Sequence, residues 1–359
     1  MAIHRPTYAT RRMVKSATDI ATTADYDQHV DSALESAADE VDSLCHRRFY
    51  NTLATRYWDW PNFQRAYPWR IWLEQHELAD VTSTVPVVTT GGKLIPASAL
   101  KWGPWQSDAP PYLFVEIDRS TSYAFGVGPT PQQDVSILGV YGYWNKTRPA
   151  GALAAAVLST TATSITVSDC SVVDAGDVIT VDTESMLVQD TGMADTGQAQ
   201  TGAGCSTASD ADNQLTVADG TKLHTQEVIA LDGERLLITS ISGNVATVRR
   251  GYDGTVLATH TGAEVFALRA LTVSRGDFGS TAATHSNTAP ITALAYPGDV
   301  RELALAEALN TTYQKVAAYA RTIGDNTING SARAVPGGSL PDLRARVKRG
   351  FRRYRMAVI

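Results

Sequence analysis

Apolar residues at Val30, Leu34, Ala37, Val41 and Leu44 recur at spacings of four, three, four and three, the rhythm of one helix face. This pattern predicts a helix over residues 25–48. Thr22 or Thr23 is placed to cap it, and His46, Arg47 and Arg48 fall in the last turn, where positive charge suits the helix dipole. From residue 53 to 144 the rhythm changes. Short β-branched or aromatic runs, such as Val85 to Val88, Tyr112 to Ile117 and Val135 to Tyr141, are separated by Gly91-Gly92 and Pro110-Pro111. They predict a small antiparallel sheet with a tryptophan-lined face. Helix returns after Pro297 and Asp299, with Leu305, Leu309, Tyr313, Val316, Ala320 and Ile323 along one face and Gly324 as the stop. A final helix is predicted from Pro341, with Leu343, Val347, Phe351, Tyr354 and Val358 on one side.

Between these parts lies an internal repeat. Ile165-Thr166-Val167-Ser168-Asp169 matches Leu215-Thr216-Val217-Ala218-Asp219, and the run from Asp177 to Glu184 matches that from Glu227 to Glu234. Met186-Leu187-Val188 then meets Leu236-Leu237-Ile238, always at an offset of 50 residues. Each copy alternates apolar and polar positions as half-buried strands do, and Asp232-Gly233 is a hairpin signal. Two related β modules, one after the other, are expected. The second continues through Arg249-Arg250-Gly251-Tyr252-Asp253-Gly254-Thr255 to His260, and a weaker echo from Thr272 to His285 follows 25 residues later.

Composition sharpens the boundaries. All seven tryptophans lie within residues 58–144, after which Ala, Thr, Ser, Gly, Asp and Val dominate. Residues 152–270 hold fifteen acidic and five basic residues, a net of −10, while residues 341–359 hold seven basic and one acidic, a net of +6. Such polarity points to different neighbours for different parts. No apolar run reaches the eighteen residues of a membrane span, and the first residues lack a signal-peptide stretch, so an unexported soluble chain is expected. The three cysteines, Cys45, Cys170 and Cys205, are widely spaced and read as reduced thiols. No metal-binding spacing links the histidines, and no GxSxG, HExxH, P-loop or dinucleotide fingerprint occurs. Asp182 with Glu184, and Asp232 with Glu234, are candidate carboxylate pairs for glycoside or calcium chemistry. Their plainer reading is solvated charge at strand ends. His260 is a candidate base, more simply read as hydrogen-bonded within a β-turn system.

Several motifs in order resemble the head-to-tail connector proteins of tailed bacteriophages. The first helix ends in Leu44-Cys45-His46-Arg47-Arg48-Phe49-Tyr50, similar to the helix with terminal Arg-x-Phe that opens that family. The run from Val135 to Trp144 is similar to a strand of its longer members, Pro297 to Ala306 to its return helix, and Pro341-Asp342 through Tyr354-Arg355 to its closing segment. The resemblance covers roughly residues 14–145 and 297–359. The interval from Trp144 to Pro297 is far longer than the family pattern requires.

Together these readings predict an α+β fold: an antiparallel helical bundle with a small antiparallel sheet, plus an inserted all-β region of two related modules. The expected divisions are a connector body in residues 1–150, inserted modules in 151–296 (repeat 165–188 and 215–238), and a return helix with a basic tail in 297–359. The body stripe Val30, Leu34, Val41 and Leu44 is expected to pack on Leu305, Leu309 and Val316. The resemblance implies a non-enzymatic virion subunit at the head–tail interface, without cofactor or membrane, forming a ring under the portal protein. It would join a tail or stopper protein and continue the channel for packaged DNA. The expected portal or DNA contacts are Arg344, Arg346, Lys348, Arg349, Phe351, Arg352, Arg353, Tyr354 and Arg355. Alternatives are a receptor- or glycan-binding virion protein and, less so, a glycan-cleaving enzyme.

Overall fold

The computed structural model describes residues 3–17, 27–62, 67–74, 76–81, 85–104, 110–316 and 340–353. In chain order its elements are α1 (Arg11–Ala17), α2 (Asp27–Cys45), β1 (Thr52–Trp58), β2 (Arg70–Trp72), β3 (Leu78–Asp80), β4 (Val87–Thr90), β5 (Lys93–Ile95), β6 (Leu100–Gly103), β7 (Phe114–Ile117) and β8 (Val135–Tyr141). There follow β9 (Thr147–Ala152), β10 (Ser164–Thr166), β11 (Val178–Val181), β12 (Glu184–Ala199), β13 (Gln214–Thr216), β14 (Val228–Leu231), β15 (Glu234–Ser242), β16 (Val245–Tyr252), β17 (Glu264–Ser274), β18 (Pro290–Leu294), α3 (Gly298–Val316) and α4 (Leu340–Phe351). The chain forms two compact units. One comprises Met1–Leu44, Thr147–Asp277 and Thr281–Phe351; the other comprises Cys45–Lys146, Phe278–Ser280 and Arg352–Ile359. No helix among the described residues is long and apolar enough to cross a membrane.

The unit built on residues 45–146 holds two sheets where the sequence predicts one. β1, β8, β4 and β5 lie side by side with β3 also on β8, and β2, β7 and β6 form a second, three-stranded sheet. β8 buries every second residue, Val135, Ile137, Gly139 and Tyr141, as its alternation requires. Their core includes Trp58, Trp60, Ile71, Leu78, Val115 and Ile137. Gly103 stands opposite Phe114, whose ring would lie 2.0 Å from a Cβ at that position, so any side chain there would force the ring to move.

The other unit carries a ten-stranded antiparallel sheet, in the order β13-β16-β15-β14-β17-β12-β11-β18-β9 with β10 also on β17. This overturns the expected fold class. The fold is mainly β, and helical packing is a minor part of it. The physical reason lies in strands the sequence hides. β12 runs for 16 residues, and its second half is mostly half-buried, without a fully buried alternate face. It is a strand because the eleven-residue β17 pairs with it from Leu187↔Ser274 to Ala199↔Glu264. Ladder pairing has overridden local propensity.

A second correction concerns the repeat. The modules are nested, not consecutive. β13, β16, β15 and β14 make a complete module, but its partner assembles β10, β11, the start of β12 and the end of β17. The echo from Thr272 to His285 is thus the closing half of the first module. Matching bonds mark the equivalence. Val167 N–H donates to the Arg269 carbonyl where Val217 N–H donates to Asn244, and Val273 N–H donates to Thr163 where Val248 N–H donates to Asn213. Each module has its own apolar core, one around Ile165, Ile179, Met186 and Leu271, the other around Leu215, Ile229, Leu236 and Val265.

In α2, Val30, Leu34, Ala37 and Val41 are buried and Leu44 is half-buried. His46, in the left-handed region at φ 54°, follows the helix end. In α3 the buried positions are Val300, Leu303, Ala304, Glu307, Ala308 and Thr312, while Leu305 and Leu309 are half-buried. The buried face is therefore centred about one residue earlier than the leucine stripe. Val316 ends α3, and its side chain lies outside the described residues, as do Ala320, Ile323, Gly324 and the candidate caps Thr22 and Thr23. α2 and α3 meet where Lys315 Nζ donates to Ser32 Oγ at 3.0 Å.

Candidate functional site

The candidate carboxylates fall at one place in each module. A tight turn between β14 and β15 sets Asp232 in the left-handed region at φ 48° and starts the next strand at Glu234; Asp182, at φ 53°, and Glu184 do the same between β11 and β12. The plainer reading, solvated strand-end charge, holds for the aspartates, whose side chains are 61% and 55% exposed. It fails for the glutamates, which are buried.

Each glutamate sits in a clasp of five donors. Glu234 accepts from Arg250 Nε and Nη2 at 2.8 and 2.7 Å, from the N–H groups of Gly251 and Ala258 at 3.0 and 2.9 Å, and lies 2.9 Å from His260 Nε2. Glu184 repeats every contact, with Arg275 at 2.6 and 2.8 Å, Gly276 at 2.9 Å, Ala283 at 2.8 Å and His285 Nε2 at 2.9 Å. The second nitrogen of each ring meets the exposed aspartate, His260 Nδ1 to Asp232 at 3.1 Å and His285 Nδ1 to Asp182 at 2.7 Å. Arg250 and Arg275 also donate to the Ala258 and Ala283 carbonyls.

The electrostatics follow from this crowd of donors. Burial alone would raise both glutamates, but the arginine fork, the backbone N–H groups and the histidine outweigh it and hold each at about 2. A carboxylate with its lone pairs engaged in this way has no free site for a substrate proton. The arrangement closes the turn that follows Arg-Gly onto the turn that precedes the glutamate, which is a fold-fixing task. Among the described residues no three His, Cys, Asp or Glu side chains are grouped to hold a metal ion.

A second pair of buried acids shares one module position. Asp177 is met by Arg148 Nη2 at 3.0 Å, and its counterpart Glu227 by Arg269 Nε and Nη2 at 2.8 and 2.7 Å. Cys170 N–H also donates to Glu227 at 3.1 Å. Burial, with the Glu227 charge beside it, pushes the Cys170 thiol well up, and burial pushes Cys205 up to about 11. All three cysteines are buried, and none forms a disulfide among the described residues.

The basic C-terminal residues are divided. Along α4, Arg344 forks onto Glu307 of α3 at 2.5 and 2.9 Å, Arg346 reaches Glu302 at 2.8 Å, and Val347 is buried. Lys348 and Arg349 are exposed and Phe351 is half-buried. In the other unit, Arg352 Nη2 lies 3.0 Å from His46 Nε2, and Arg353 pairs with the buried Glu77 at 2.5 Å. Tyr354 and Arg355 lie outside the described residues.

Sequence reasoning missed the arginines that complete the clasps. The signal was present: Arg-Gly with Ala-x-His beginning eight residues after the arginine, at an offset of 25, is Arg250 to His260 and Arg275 to His285 shifted as a block. It also missed residues 3–12, where Arg11 forks onto Asp31 at 2.9 and 2.8 Å and reaches Asp190 at 2.8 Å, and Tyr8 donates to Asp42 at 2.5 Å. Comparison with protein-family models, curated proteins and solved structures finds no match to this chain.

Proposed function

We propose that the chain is a structural subunit of a tailed-bacteriophage particle, a head-to-tail connector that works by assembly and not by catalysis. The observation that carries this reading is the order of four motifs and the elements they occupy. The Arg47-Arg48-Phe49 run follows the end of α2, the Val135 to Trp144 motif begins with β8, Pro297 precedes α3, and Pro341-Asp342 opens α4. The clasps favour it too, since the groups best suited to chemistry are committed to holding turns. In this reading the subunit forms a ring beneath the portal protein, meets a tail or stopper protein on its other side, and surrounds packaged DNA.

The exposed basic residues Lys348 and Arg349 are the portal- or DNA-facing part of α4, because Arg344 and Arg346 are paired within the subunit. Negative-stain microscopy of the purified chain, alone and with portal protein, tests the reading. Rings, or caps on the portal, are expected. A trimeric rod without portal binding would favour a receptor binder, and turnover of a polysaccharide would favour an enzyme.

A further inference from the structure

The two modules are copies, yet their outer faces are differently occupied. Across the first runs the segment from Ile3 to Ala9, in which Ile3, Thr7, Tyr8 and Ala9 are buried. Its Ile3 N–H donates to the Gln189 carbonyl and its Thr7 N–H to the Gly176 carbonyl, both at 3.1 Å. Gln189 is the extra residue of a bulge between Val188 and Asp190, which leaves its backbone out of the ladder. Gly176, at φ +97°, lets the segment approach closely: a Cβ there would lie 1.9 Å from Thr7 Oγ1. Leu187, on the same strand, is buried.

In the second module these positions are Gln226, Leu237 and Thr239. Thr239 is the extra residue of the matching bulge, between Ile238 and Ser240. Gln226 N–H donates to Ile238 at 2.8 Å, as Gly176 N–H donates to Val188 at 2.8 Å. The faces then diverge. No backbone N–H among the described residues takes up the Gln226 carbonyl, and Leu237 is only half-buried. A groove of about 570 Å³ opens here, walled by Arg12, Lys15 and Ser16 of α1 and by Asn213, Thr247 and Arg249 of the module.

We infer that this groove is a binding site for an extended segment of a second polypeptide, taken in as the first module takes residues 3–9 of its own chain. The volume is that of a ligand site. The module offers the same backbone acceptors, at Gln226 and Thr239, that bind the segment on the first copy, and main-chain bonding is how sheets recognise extended peptides. Specificity follows from the single exchange of Gly176 for Gln226. With a Cβ in place, the incoming residue that corresponds to Thr7 must be small and lack the threonine hydroxyl, and glycine fits with most room. The inference stands on the comparison of the two modules and is independent of the connector reading.

Titration calorimetry of the full chain with two synthetic peptides tests it, one of residues 2–10 and one identical but for Thr7→Gly. The Thr7→Gly peptide should bind, and the parent peptide should bind about tenfold more weakly or worse, the discrimination expected of a steric clash. Gln226→Gly, which restores the first module's glycine at a positive φ of 68°, should bring the two peptides to within about threefold of each other. Thr239→Trp, which fills the groove, should weaken the Thr7→Gly peptide about tenfold or more. If the tryptophan variant does not fold, the Gln226→Gly result decides alone. Binding of neither peptide, or binding indifferent to these substitutions, overturns the inference. So does a glycan-array signal that Thr239→Trp abolishes, which would make the groove a sugar site.

Discussion

Glu184 and Glu234 are where single residues matter most. Each is buried and each collects two arginine bonds, two backbone N–H groups and an imidazole. Their folded values of about 2 lie below the ordinary carboxylate value of 4.5. A depressed folded value contributes stability that is complete above about pH 4.5 and is lost as pH falls toward 2. Thermal unfolding followed from pH 7 to pH 2 should therefore fall steeply across that window. Substituting Glu184→Gln and Glu234→Gln together should lower stability at pH 7 and flatten the acid slope; an unchanged slope would show that other acids set it. Arg250→Ala leaves a buried carboxylate without its main partner and should cost about 3–5 kcal/mol by denaturant titration. At the same scale, native protein at pH 8 should resist a thiol reagent until it unfolds, because burial shields all three cysteines and raises Cys170 and Cys205. Fast labelling of one thiol would show that its site opens readily.

Among the elements, α3 shows how periodicity fixes a helix without fixing its orientation. Leu305, Leu309 and Tyr313 are the conspicuous apolar residues, yet Val300, Leu303, Ala304 and Ala308 are the buried ones. Small alanines admit a neighbouring backbone closely, and Glu307 joins the buried face because Arg344 of α4 neutralises it. Leu303→Ala should accordingly destabilise by about 2–5 kcal/mol, and Leu309→Ala by clearly less. Equal losses in denaturant titration would restore the leucine stripe as the packing face. For α4, charge reversal at Lys348 and Arg349 should leave folding intact, since both are exposed, and on the connector proposal it should weaken portal binding at low salt. Arg344→Ala should instead lower stability by stranding Glu307. Helices α2, α3 and α4 and strands β4, β7 and β8 were legible in the sequence because each carries its own period, whereas the short α1 was not. β12 was not, because its second half is held by β17 across a long sequence separation.

At the scale of the whole molecule, nesting decides where the chain can be cut. Arg250 follows Glu234 by 16 residues, whereas Arg275 follows Glu184 by 91, because the second module is spliced between the halves of the first. Replacing residues 194–268 with a two-residue Asn-Gly turn joins β12 to β17 where they already pair, with Gly192 opposite Ala270. The shortened chain should keep its first module, its apolar core and a cooperative thermal transition. Removing residues 152–270 is a different operation. It deletes β10, β11 and β12 and leaves β9 and β18 without the partner that joins them to the sheet. That variant should lose β-sheet circular dichroism across the unit, and equal tolerance of both deletions would count against the nested arrangement.

The sequence by itself determined the elements that carry their own period, the existence of two copies of one module and the uneven charge, because periodicity, repetition and composition are properties of neighbours along the chain. It left the clasps incomplete. Asp182, Glu184 and the 25-residue echo were visible, but that Arg275 and His285 close around Glu184 depends on β12 and β17 lying side by side. Only the tertiary structure decided that the fold is mainly β, that the first module is completed after the second, and that residues 3–9 cover one module face while its twin stays open. The physical reason is the same each time. Strand pairing and buried ion pairs draw their free energy from partners distant in sequence, and a pattern read along one segment carries no term for a partner it has not yet met.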